Sequence, residues 1–381
     1  MLNIKEQFLL DSNKIHLNHG SFGACIKIAH ESQIEWQLRL ESNPTGFIVD
    51  ILPDEIKKAR FSLADYIGCH GDSICFFQNP TTSLNAIVRG LNLGPGDKVL
   101  TTDHEYGAMD RMWSFLSFKT GCQYVKSTIK LPIESKEEFV EKFISDIDSK
   151  TRVIFISQIT SATAIVLPVK EIIDYCRSNN IITIIDGAHV PGHIDIDISE
   201  LKPDFFTGAC HKWMCTPKGV SFLYVDEKYH NTIEPFIVSW GYGNEDISVS
   251  KFIDYMEVKG THDPSAFLTV PTVINFFNNN DWDSVKQRSR SLLKESIKRI
   301  HDVTGAIQLF PYESMWDCQM ACSEIKIDSP ELFQSKLYKK YNIIVPITSI
   351  GDKYFIRVSI NAYNSEGDID KLIDALANEI Q

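Results

Sequence analysis

The chain has 381 residues, of which 43% are hydrophobic and 23% are charged, the composition of an ordinary globular protein rather than a disordered one. Its 38 basic and 50 acidic side chains give a net charge of −12, which disfavours nonspecific binding to nucleic acid or anionic membranes. We therefore predict a small-molecule partner, no nucleic acid and no membrane.

The first residues and the cysteines indicate the compartment. No apolar stretch approaches the roughly 20 residues that span a bilayer, and "MLNIKEQFLLDSNK" lacks a basic region followed by an apolar core. The nine cysteines are scattered without a CxxC pair, and nothing near Cys318 and Cys322 completes a metal shell. We expect a cytoplasmic protein with buried thiols and no metal site.

Residues 1–45 are predicted to form an N-terminal arm that packs near the functional site. The stretch "IHLNHGSFGAC" is punctuated by glycines. The next stretch, "KIAHESQIEWQLRLES", has helical spacing until Asn43 and Pro44 end it.

Helices and strands alternate from about residue 60 onward. Helices are predicted at "SLNAIVRGLNL", from Gly107 to Phe118, at "KEEFVEKFISDI" and at "PVKEIIDYCRSNN", the last opened by Pro168 at its first position. Strands are predicted at "KVLTTDH", "TRVIFISQIT", "IITIIDGAH" and "GVSFLYV". Runs of β-branched residues between amphipathic helices indicate an α/β fold with a mainly parallel sheet covered on both faces.

The pattern changes after about residue 262. Two long helices are predicted at "SAFLTVPTVINFFNNN" and "WDSVKQRSRSLLKESIKRIHDVTG". Short strands at "CSEIKI", "NIIVPI" and "KYFIRVSI" precede a last helix at "EGDIDKLIDALANEI". We predict a smaller α+β domain over residues 263–381.

Polar residues follow the predicted strands, at the sheet edge where ligands bind in α/β folds. Those residues are Asp103, His104, Thr160, Ser161, Asp186 and His189. Asp186 ends an apolar strand, so it is either a turn or cap residue or a carboxylate with a cationic partner, such as a pyridinium nitrogen.

Lys212 lies in "FFTGACHKWMCTPKGVSFLYV", before a predicted buried strand. A lysine is a nucleophile only if its amine can be neutral, which requires burial or a nearby cation. The alternative is an exposed charge. Pyridoxal 5′-phosphate (PLP) chemistry requires both such a lysine and an anion like Asp186.

Thr81, Thr82 and Ser83 lie at the start of a predicted helix in "NPTTSLN". Free N–H groups and the helix dipole attract phosphate there, although one of the three could be only an N-cap. The three residues together with Lys212 and Asp186 predict a PLP site.

With these elements in order, the chain resembles the class V aminotransferase superfamily of fold-type I PLP enzymes. Within it the chain is most similar to the isopenicillin N epimerase-like branch, which is related to cysteine desulfurases and C–S lyases. The motifs run from about residue 16 to residue 364: "LNHGSFGAC", "ESNPTGF", "NPTTSLN", "DHEYGAM", "SQITSATAIVLPV", "DGAHVPG", "CHKWMCTPKG", "VSWGY", "KGTHDPSAFLTVP" and "RVSINAYN". The resemblance implies a large PLP-binding domain over residues 46–262, built on a mainly parallel, seven-stranded type of sheet.

The resemblance also implies which residues are catalytic and hold the cofactor. Lys212 matches the lysine that binds PLP covalently and can then act as the base at the substrate Cα. Asp186 matches the partner of the pyridine nitrogen. His189 and Ser161 match positions that approach the phenolic oxygen.

The same resemblance assigns the phosphate. Thr81, the N–H of Thr82 and His211 match its donors, next to Ser83. Thr261 in "KGTHD" matches a loop residue that reaches the phosphate from the neighbouring subunit, so the resemblance implies a homodimer whose active site is shared across the interface.

Ring stacking and substrate binding complete the implied site. Tyr106 matches the aromatic residue that stacks on the pyridine, with His104 as the second choice. Arg357 in "FIRVS" matches the arginine that clamps the substrate carboxylate. Asn18 and His19 match a segment that closes over the substrate.

The chain departs from the family pattern at three places. Ala209 stands where desulfurase-like relatives carry a phosphate-binding serine. The segment "NIIVPITSIGDKYFIRVS" holds no cysteine, which argues against a sulfur-relay desulfurase. Gly46 stands where epimerase-like proteins carry a basic residue, so the substrate edge formed by "LNHGSFG", "ESNPTGF" and "SWGYGNED" does not identify the substrate.

The reaction is left open among epimerisation, C–S lysis by β-elimination, and transamination, in that order. Epimerisation by two bases needs a second proton carrier, for which the candidates are His19, His104, Tyr106 and Tyr242. A nucleotide-binding oxidoreductase is disfavoured because no GxGxxG follows an early strand. A catalytically silent scaffold is disfavoured because Lys212 and Asp186 are both present.

Overall fold

The computed structural model describes residues 4–243 and 248–380. Its strands are β1 (Ile15–His16), β2 (Ile74–Phe77), β3 (Lys98–Thr102), β4 (Gln123–Ser127), β5 (Thr151–Ser157), β6 (Ile182–Gly187), β7 (Phe205–Ala209), β8 (Ser221–Val225), β9 (Met320–Ile325), β10 (Ile343–Ile344), β11 (Ile347–Ile350) and β12 (Lys353–Ser359).

A seven-stranded sheet with the order β2-β8-β7-β6-β5-β3-β4 forms the centre of the molecule. Strands β4, β3, β5, β6 and β7 are mutually parallel, whereas β8 runs antiparallel to β7 and to β2. The predicted α/β class with a mainly parallel sheet is confirmed. The antiparallel edge strand β2, the half-exposed strand β4 and the central strand β7 were not predicted.

The helices are α1 (His19–Phe22), α2 (Lys27–Ser42), α3 (Pro44–Gly46), α4 (Leu52–Ile67), α5 (Pro80–Val88), α6 (Gly107–Thr120), α7 (Lys136–Ser145), α8 (Val169–Ser178), α9 (Ile198–Leu201), α10 (Lys251–Glu257), α11 (Val270–Asn279), α12 (Trp282–Thr304), α13 (Tyr312–Met315), α14 (Pro330–Tyr341) and α15 (Glu366–Glu379). Within residues 4–243 and 248–380, no helix has the length and apolar character needed to cross a membrane.

Local sequence signals set several helix ends. The Ser135 side chain accepts the N–H of Glu138 at the start of α7, and Ser365 forms a capping box with Asp368 at the start of α15. Pro168 was predicted at the first position of α8, but it is the cap residue, and the helix begins at Val169. The prediction was off by one residue because proline is compatible with both positions.

The central sheet is buried on both faces. Along β5, Ile154 and Ile156 pack into one apolar cluster while Val153 and Phe155 pack into another. Because successive side chains of a strand point to opposite faces, the two clusters lie on the two sides of the sheet. The continuous β-branched run "VIFI" is therefore explained by helices that cover both faces.

The C-terminal part builds a three-stranded antiparallel sheet, β11-β12-β9, against which α12 packs. The N-terminal arm reaches this part, because β1 pairs in parallel with β10. The division into an arm (residues 1–45), a large domain (46–262) and a small domain (263–381) stays a prediction, and residues 1–3 and 381 lie outside the described range.

The parallel strands end at one edge of the sheet. Residue 103 follows β3, residue 158 follows β5, Asp186 lies at the end of β6, and residue 210 follows β7. Since β3, β5, β6 and β7 are consecutive neighbours, the polar residues predicted at their ends are brought to one edge.

Candidate active site

Lys212 lies in the connection from β7 to β8, immediately beyond the carboxyl end of β7. The N–H of Lys212 donates to the carbonyl of Ala209 at 3.4 Å, and the N–H of His211 donates to Val220 at 3.0 Å. Burial lowers the pKa of the Lys212 amine to about 8, against the opposing effect of Asp186 and with a smaller contribution from Arg357. A substantial fraction of this amine is therefore neutral at a pH near 8.

Asp186 is almost fully buried at the end of β6. Its Oδ1 accepts the N–H of Ala188 at 2.9 Å, and among the described residues no donor is recorded for its other oxygen. Burial raises the pKa of this carboxyl, while the Ala188 N–H and the charge of Lys212 oppose the rise. A carboxylate with an unused oxygen beside a lysine matches the chemistry of a partner for a protonated ring nitrogen.

His189 lies three residues after Asp186 in the sequence and contacts the lysine. Its Nε2 lies 3.3 Å from Nζ of Lys212, and its Nδ1 lies 3.3 Å from Nε1 of Trp213. Burial, with the charges of Lys212 and Arg357, holds the pKa of His189 well below its usual value. The imidazole is therefore neutral and able to donate one hydrogen bond and accept another.

Arg357 is a buried cation on β12 whose recorded partners are all uncharged. Its guanidinium donates to the carbonyl and hydroxyl oxygens of Ser161 at 2.5 and 3.3 Å, to Oγ of Ser21 at 2.8 Å and to Oδ1 of Asn18 at 3.3 Å. Within residues 4–243 and 248–380, no carboxylate pairs with it, and its Nε has no partner. Burial lowers the pKa of Arg357 to about 10. A buried charge without a counter-ion is costly, so this site is suited to an anionic group.

Ser161 contacts Arg357. Its predicted approach to the phenolic oxygen of the cofactor stays a prediction. Sequence reasoning did not identify Ser21, although it lies in the motif "LNHGSFG" that was singled out. The hydroxyl of Ser21 donates to Asn18 at 2.6 Å, so both arm residues form one polar group around the guanidinium. Asn18 thus contacts Arg357, while its predicted role in closing over the substrate stays a prediction.

His19 is buried and contacts the backbone of Lys212. Its Nε2 is 2.9 Å from the carbonyl oxygen of Lys212, and its Nδ1 is 3.1 Å from the hydroxyl of Tyr363. Burial lowers the pKa of His19 to about 3. Both ring nitrogens thus have partners within the chain, one of them the backbone of Lys212, and the substrate role of His19 stays a prediction.

The start of α5 presents fewer free donors than expected. Asn79 is the N-cap, and its Oδ1 accepts the N–H and hydroxyl of Thr82 at 2.8 and 3.0 Å. Ser83 is buried, and its hydroxyl contacts Thr207 at 2.6 Å and Pro80 at 2.9 Å. Of the three predicted phosphate donors, the half-buried Thr81 has a hydroxyl with no recorded partner in the described part of the chain.

Among the residues predicted to bind the phosphate, Thr81 and His211 therefore remain as candidates. The Nδ1 of His211 lies 2.8 Å from the carbonyl oxygen of Val220, which can only accept, so Nδ1 carries a proton. Burial lowers the pKa of His211 to about 4, which leaves Nε2 unprotonated until an anion stabilises the imidazolium. The N-cap role of Asn79 could have been predicted from the sequence, because asparagine before proline is a helix start signal.

His104 and Tyr106 differ in burial. His104 is buried with Nδ1 2.9 Å from the hydroxyl of Thr163, whereas Tyr106 is 51% exposed and precedes α6. Burial lowers the pKa of His104 to about 4. The choice of Tyr106 first and His104 second as the ring that stacks on the pyridine stays a prediction.

Two predicted residues, Tyr242 and Thr261, are exposed in the single chain. Tyr242 is exposed with its ring 5.7 Å from that of Tyr255, and Thr261 is exposed. Exposure of Thr261 is compatible with its predicted position at a subunit interface. The residues Asn244 to Asp246 of the predicted substrate edge lie outside the described residues.

The chain is similar to proteins of known family. The family described as "Aminotransferase class-V" matches residues 52–372. Isopenicillin N epimerase of Amycolatopsis lactamdurans is 29% identical, covering 98% of this chain and 97% of that protein. A probable L-cysteine desulfhydrase, chloroplastic, of Arabidopsis thaliana is 27% identical, covering 96% of this chain and 83% of that protein.

Solved structures share the fold. The cystine C–S lyase C-DES, in complex with cysteine persulfide, superposes with a TM-score of 0.83 at 22% identity, covering 96% of this chain and 98% of that one. A C-DES variant with glycine covalently linked to PLP gives a TM-score of 0.85 at 20% identity, covering 98% and 99%.

Proposed function

The chain belongs to the class V aminotransferase family, and from this premise we propose that it is a PLP-dependent enzyme acting at the Cα of an amino acid or an amino-acid-derived substrate. Epimerisation like that of isopenicillin N epimerase is the first candidate reaction. It is supported by 29% identity to such an enzyme over nearly the whole chain.

One observation carries the substrate class. Arg357 is a buried guanidinium whose recorded partners in the described residues are neutral oxygens. A carboxylate would supply the missing negative charge through a two-pronged contact that a planar guanidinium favours. The charge of Arg357 also lowers the pKa of Lys212, so the two groups lie close enough to interact electrostatically.

The described residues fit the cofactor. Lys212 supplies an amine whose pKa is lowered to about 8, and Asp186 has a carboxylate oxygen without a recorded donor in the described chain. We propose that Lys212 binds PLP covalently, Asp186 faces the pyridine nitrogen and His189 donates to the phenolic oxygen. Thr81 and His211 would hold the phosphate.

Bound PLP withdraws electrons from the Cα of an attached amino acid. The chain's own groups then act in defined ways. Arg357 orients the substrate through its carboxylate, and Lys212 takes the Cα proton on its neutral amine. Asp186, buried and acidic, keeps a positive charge favourable at the ring position that it faces.

The second candidate reaction is C–S lysis, which requires no second proton carrier. It is favoured by the position of His19, since that candidate carrier is buried with both ring nitrogens engaged. Tyr106 and Tyr242, two other candidates, have exposed rings. Cys318 and Cys322 are buried, so neither is placed to relay sulfur as an exposed thiol.

We further propose a homodimer in which Thr261 of one subunit completes the phosphate site of the other. The support is that Thr261 is exposed in the single chain and that Ser83, one expected donor, is occupied by Thr207. A phosphate held only by Thr81 and His211 gains a further donor from the neighbouring subunit.

A labelling experiment tests the proposed reactions. Purified protein with PLP is incubated in deuterated water with panels of L- and D-amino acids and short peptides that carry a free α-amino acid end. Deuterium at Cα with inverted configuration indicates epimerisation, whereas pyruvate with sulfide or persulfide indicates lysis. Lys212→Ala is the control without a base. Absence of Cα exchange and of products with every substrate would contradict the proposal.

A further inference from the structure

His19, His189, His193 and Trp213 form a histidine–tryptophan cluster next to Lys212. Trp213 is fully buried, with its ring 3.7 Å from that of His193 in a near-parallel stack and 4.8 Å from that of His19. Apart from His189, its members have no role in the reaction proposed above. In two of its hydrogen-bonded histidines, the partners determine which ring nitrogen carries the proton.

The first fixed direction is at His193. The backbone N–H of Gln319 points at its Nε2 at 2.6 Å, and its Nδ1 lies 2.8 Å from the carbonyl oxygen of His189. A backbone N–H can only donate and a carbonyl can only accept, so His193 is neutral with its proton on Nδ1. This arrangement fixes the backbone of His189 and the stacking partner of Trp213.

The second fixed direction is at His189. An indole N–H is a donor only, and Nε1 of Trp213 lies 3.3 Å from Nδ1 of His189. Nδ1 therefore accepts, and the proton of the neutral ring must be on Nε2. That nitrogen faces Nζ of Lys212 at 3.3 Å.

We propose that Trp213 is a positioning residue that holds His189 in the tautomer with its proton on Nε2, so that His189 donates to the amine of Lys212. An ammonium group has no acceptor, so this geometry is compatible with Lys212 only as a neutral amine. In this tautomer, the N–H group of His189 can also donate to an oxygen atom that occupies the position of the amine. The inference rests on the proposed function for the role of Lys212 as the nucleophile, but the tautomer itself does not.

The backbone around Trp213 supports a fixed position. Gly192 has φ of +77°, and a side-chain carbon there would lie 2.7 Å from the carbonyl carbon and oxygen of Trp213. Only glycine permits this approach without displacement. The backbone of Trp213 is thus packed against Gly192, and its indole is stacked on the His193 ring.

The first test measures the tautomer in the full-length protein before PLP is added. Histidine labelled with ¹⁵N distinguishes a protonated from an unprotonated ring nitrogen through long-range ¹H–¹⁵N correlations, and His189→Gln identifies the signals of His189. We expect the proton on Nε2 in the wild-type protein and a mixture of tautomers in Trp213→Phe. A wild-type His189 with its proton on Nδ1 would overturn the inference, even if Trp213→Phe does not fold.

The second test is a double-mutant cycle on the rate of covalent PLP capture, followed by absorption. Trp213→Phe should slow capture about fivefold, the effect of losing one oriented hydrogen bond. In the His189→Gln background the same change should have little effect, because a carboxamide has no tautomer to fix. Equal slowing in both backgrounds would show that Trp213 acts only through packing and would overturn the inference.

Trp113→Phe is the matched control. Trp113 is also fully buried, but within the described residues its indole N–H has no hydrogen-bond partner. Its replacement should leave both the His189 signals and the capture rate unchanged. If the wild-type protein captures no PLP at all, the proposed function fails, and the tautomer measurement alone decides the inference.

Discussion

The guanidinium of Arg357 donates to both the carbonyl and the hydroxyl oxygen of Ser161, a residue 196 positions earlier in the chain. This contact joins β12 of the C-terminal part to the loop that follows β5. It holds the buried cation at the edge of the central sheet where Asp186 and Lys212 lie. The proposed recognition of a carboxylate depends on this junction.

Replacing Arg357 with methionine separates recognition from stability. We expect Arg357→Met to raise KM for a substrate with an α-carboxylate by roughly tenfold to a hundredfold, because charge-assisted hydrogen bonds are lost. The free energy of unfolding should change little, since removal of an unpaired buried charge offsets the lost hydrogen bonds. Steady-state kinetics and urea denaturation measure the two effects. Arg299→Met, at an exposed ion pair with Asp370, is the control, and an unchanged KM in Arg357→Met would refute the carboxylate clamp.

Covalent capture of PLP should follow the ionisation of Lys212. Burial lowers the pKa of this amine to about 8, so the neutral nucleophile increases as pH rises through 8 and then reaches a plateau. We expect the rate of adduct formation, read from its absorption band, to follow that curve. Asp186→Asn should move the midpoint to lower pH, because the Asp186 charge raises the pKa of Lys212. A midpoint near 10.5, the usual lysine value, would contradict this account, and Lys212→Ala should form no adduct.

Glu105 should make stability depend on pH. It is buried, accepts from Ser157 and Thr102, and has a pKa raised to about 7 from 4.5, mainly by burial and further by Asp186. A raised pKa means that its contribution is fully present below pH 4.5 and is lost as pH rises to 7. The loss is on the order of 3 kcal/mol in the free energy of unfolding.

Glu105→Gln preserves the shape and one acceptor but cannot ionise. We expect its urea denaturation midpoint to fall less than that of the wild type between pH 5 and pH 8, conditions that bracket the titration of about 7. The exposed Glu141→Gln serves as the control and should behave like the wild type. Parallel pH profiles of Glu105→Gln and the wild type would show that Glu105 does not titrate in this window.

Gly23 should be intolerant of any side chain. Its φ is +67°, and an added carbon would lie 2.0 Å from the carbonyl oxygen of His211 and 2.8 Å from Cα of Lys212. Gly23→Ala is expected to lower the free energy of unfolding by about 2 kcal/mol or more and to weaken PLP retention, because the lysine segment must move. Gly107→Ala, at a helix start with nothing within 4 Å, is the control. Normal retention of PLP in a folded Gly23→Ala protein would contradict the expected displacement.

Thr261 can be tested by mixing variants. A heterodimer of Lys212→Ala and Thr261→Asp should contain one intact site, if Thr261 acts on the neighbouring subunit. Random reassociation should then restore about one quarter of the sites, measured by PLP absorption and activity. Mixing Lys212→Ala with Asp186→Asn should restore none, since each site then carries a lesion. No recovery in the first mixture would place Thr261 outside the neighbouring site.

The sequence predicted the parts of the fold that have strong periodic signals. Strands β3, β5 and β6 and helix α12 were identified because their apolar residues are continuous or regularly spaced. Strand β2 was missed because its four residues are too short for a pattern, and β4 because its sequence "QYVKS" is only partly apolar.

The residue types of the site could be predicted from the sequence, but the orientation of their side chains could not. Asn18 and His19 are neighbours in sequence, yet Asn18 contacts Arg357 while His19 supports the backbone of Lys212. Thr81 and Ser83 likewise differ, since only Ser83 is bonded to Thr207. The orientation of adjacent side chains depends on the packing of distant segments, which no local spacing encodes.

The pairing of Asn18 with Arg357 bridges 339 positions of the chain. On the proposed assignment, the residues that hold the cofactor lie between Thr81 and Thr261, so ribosomes complete them before Arg357 emerges. Such a long-range closure is slow to form compared with contacts inside the sheet. The residues for cofactor capture and for substrate recognition would therefore be completed at different stages of synthesis. A chain that ends before β12 would contain the residues that hold the cofactor but would lack Arg357.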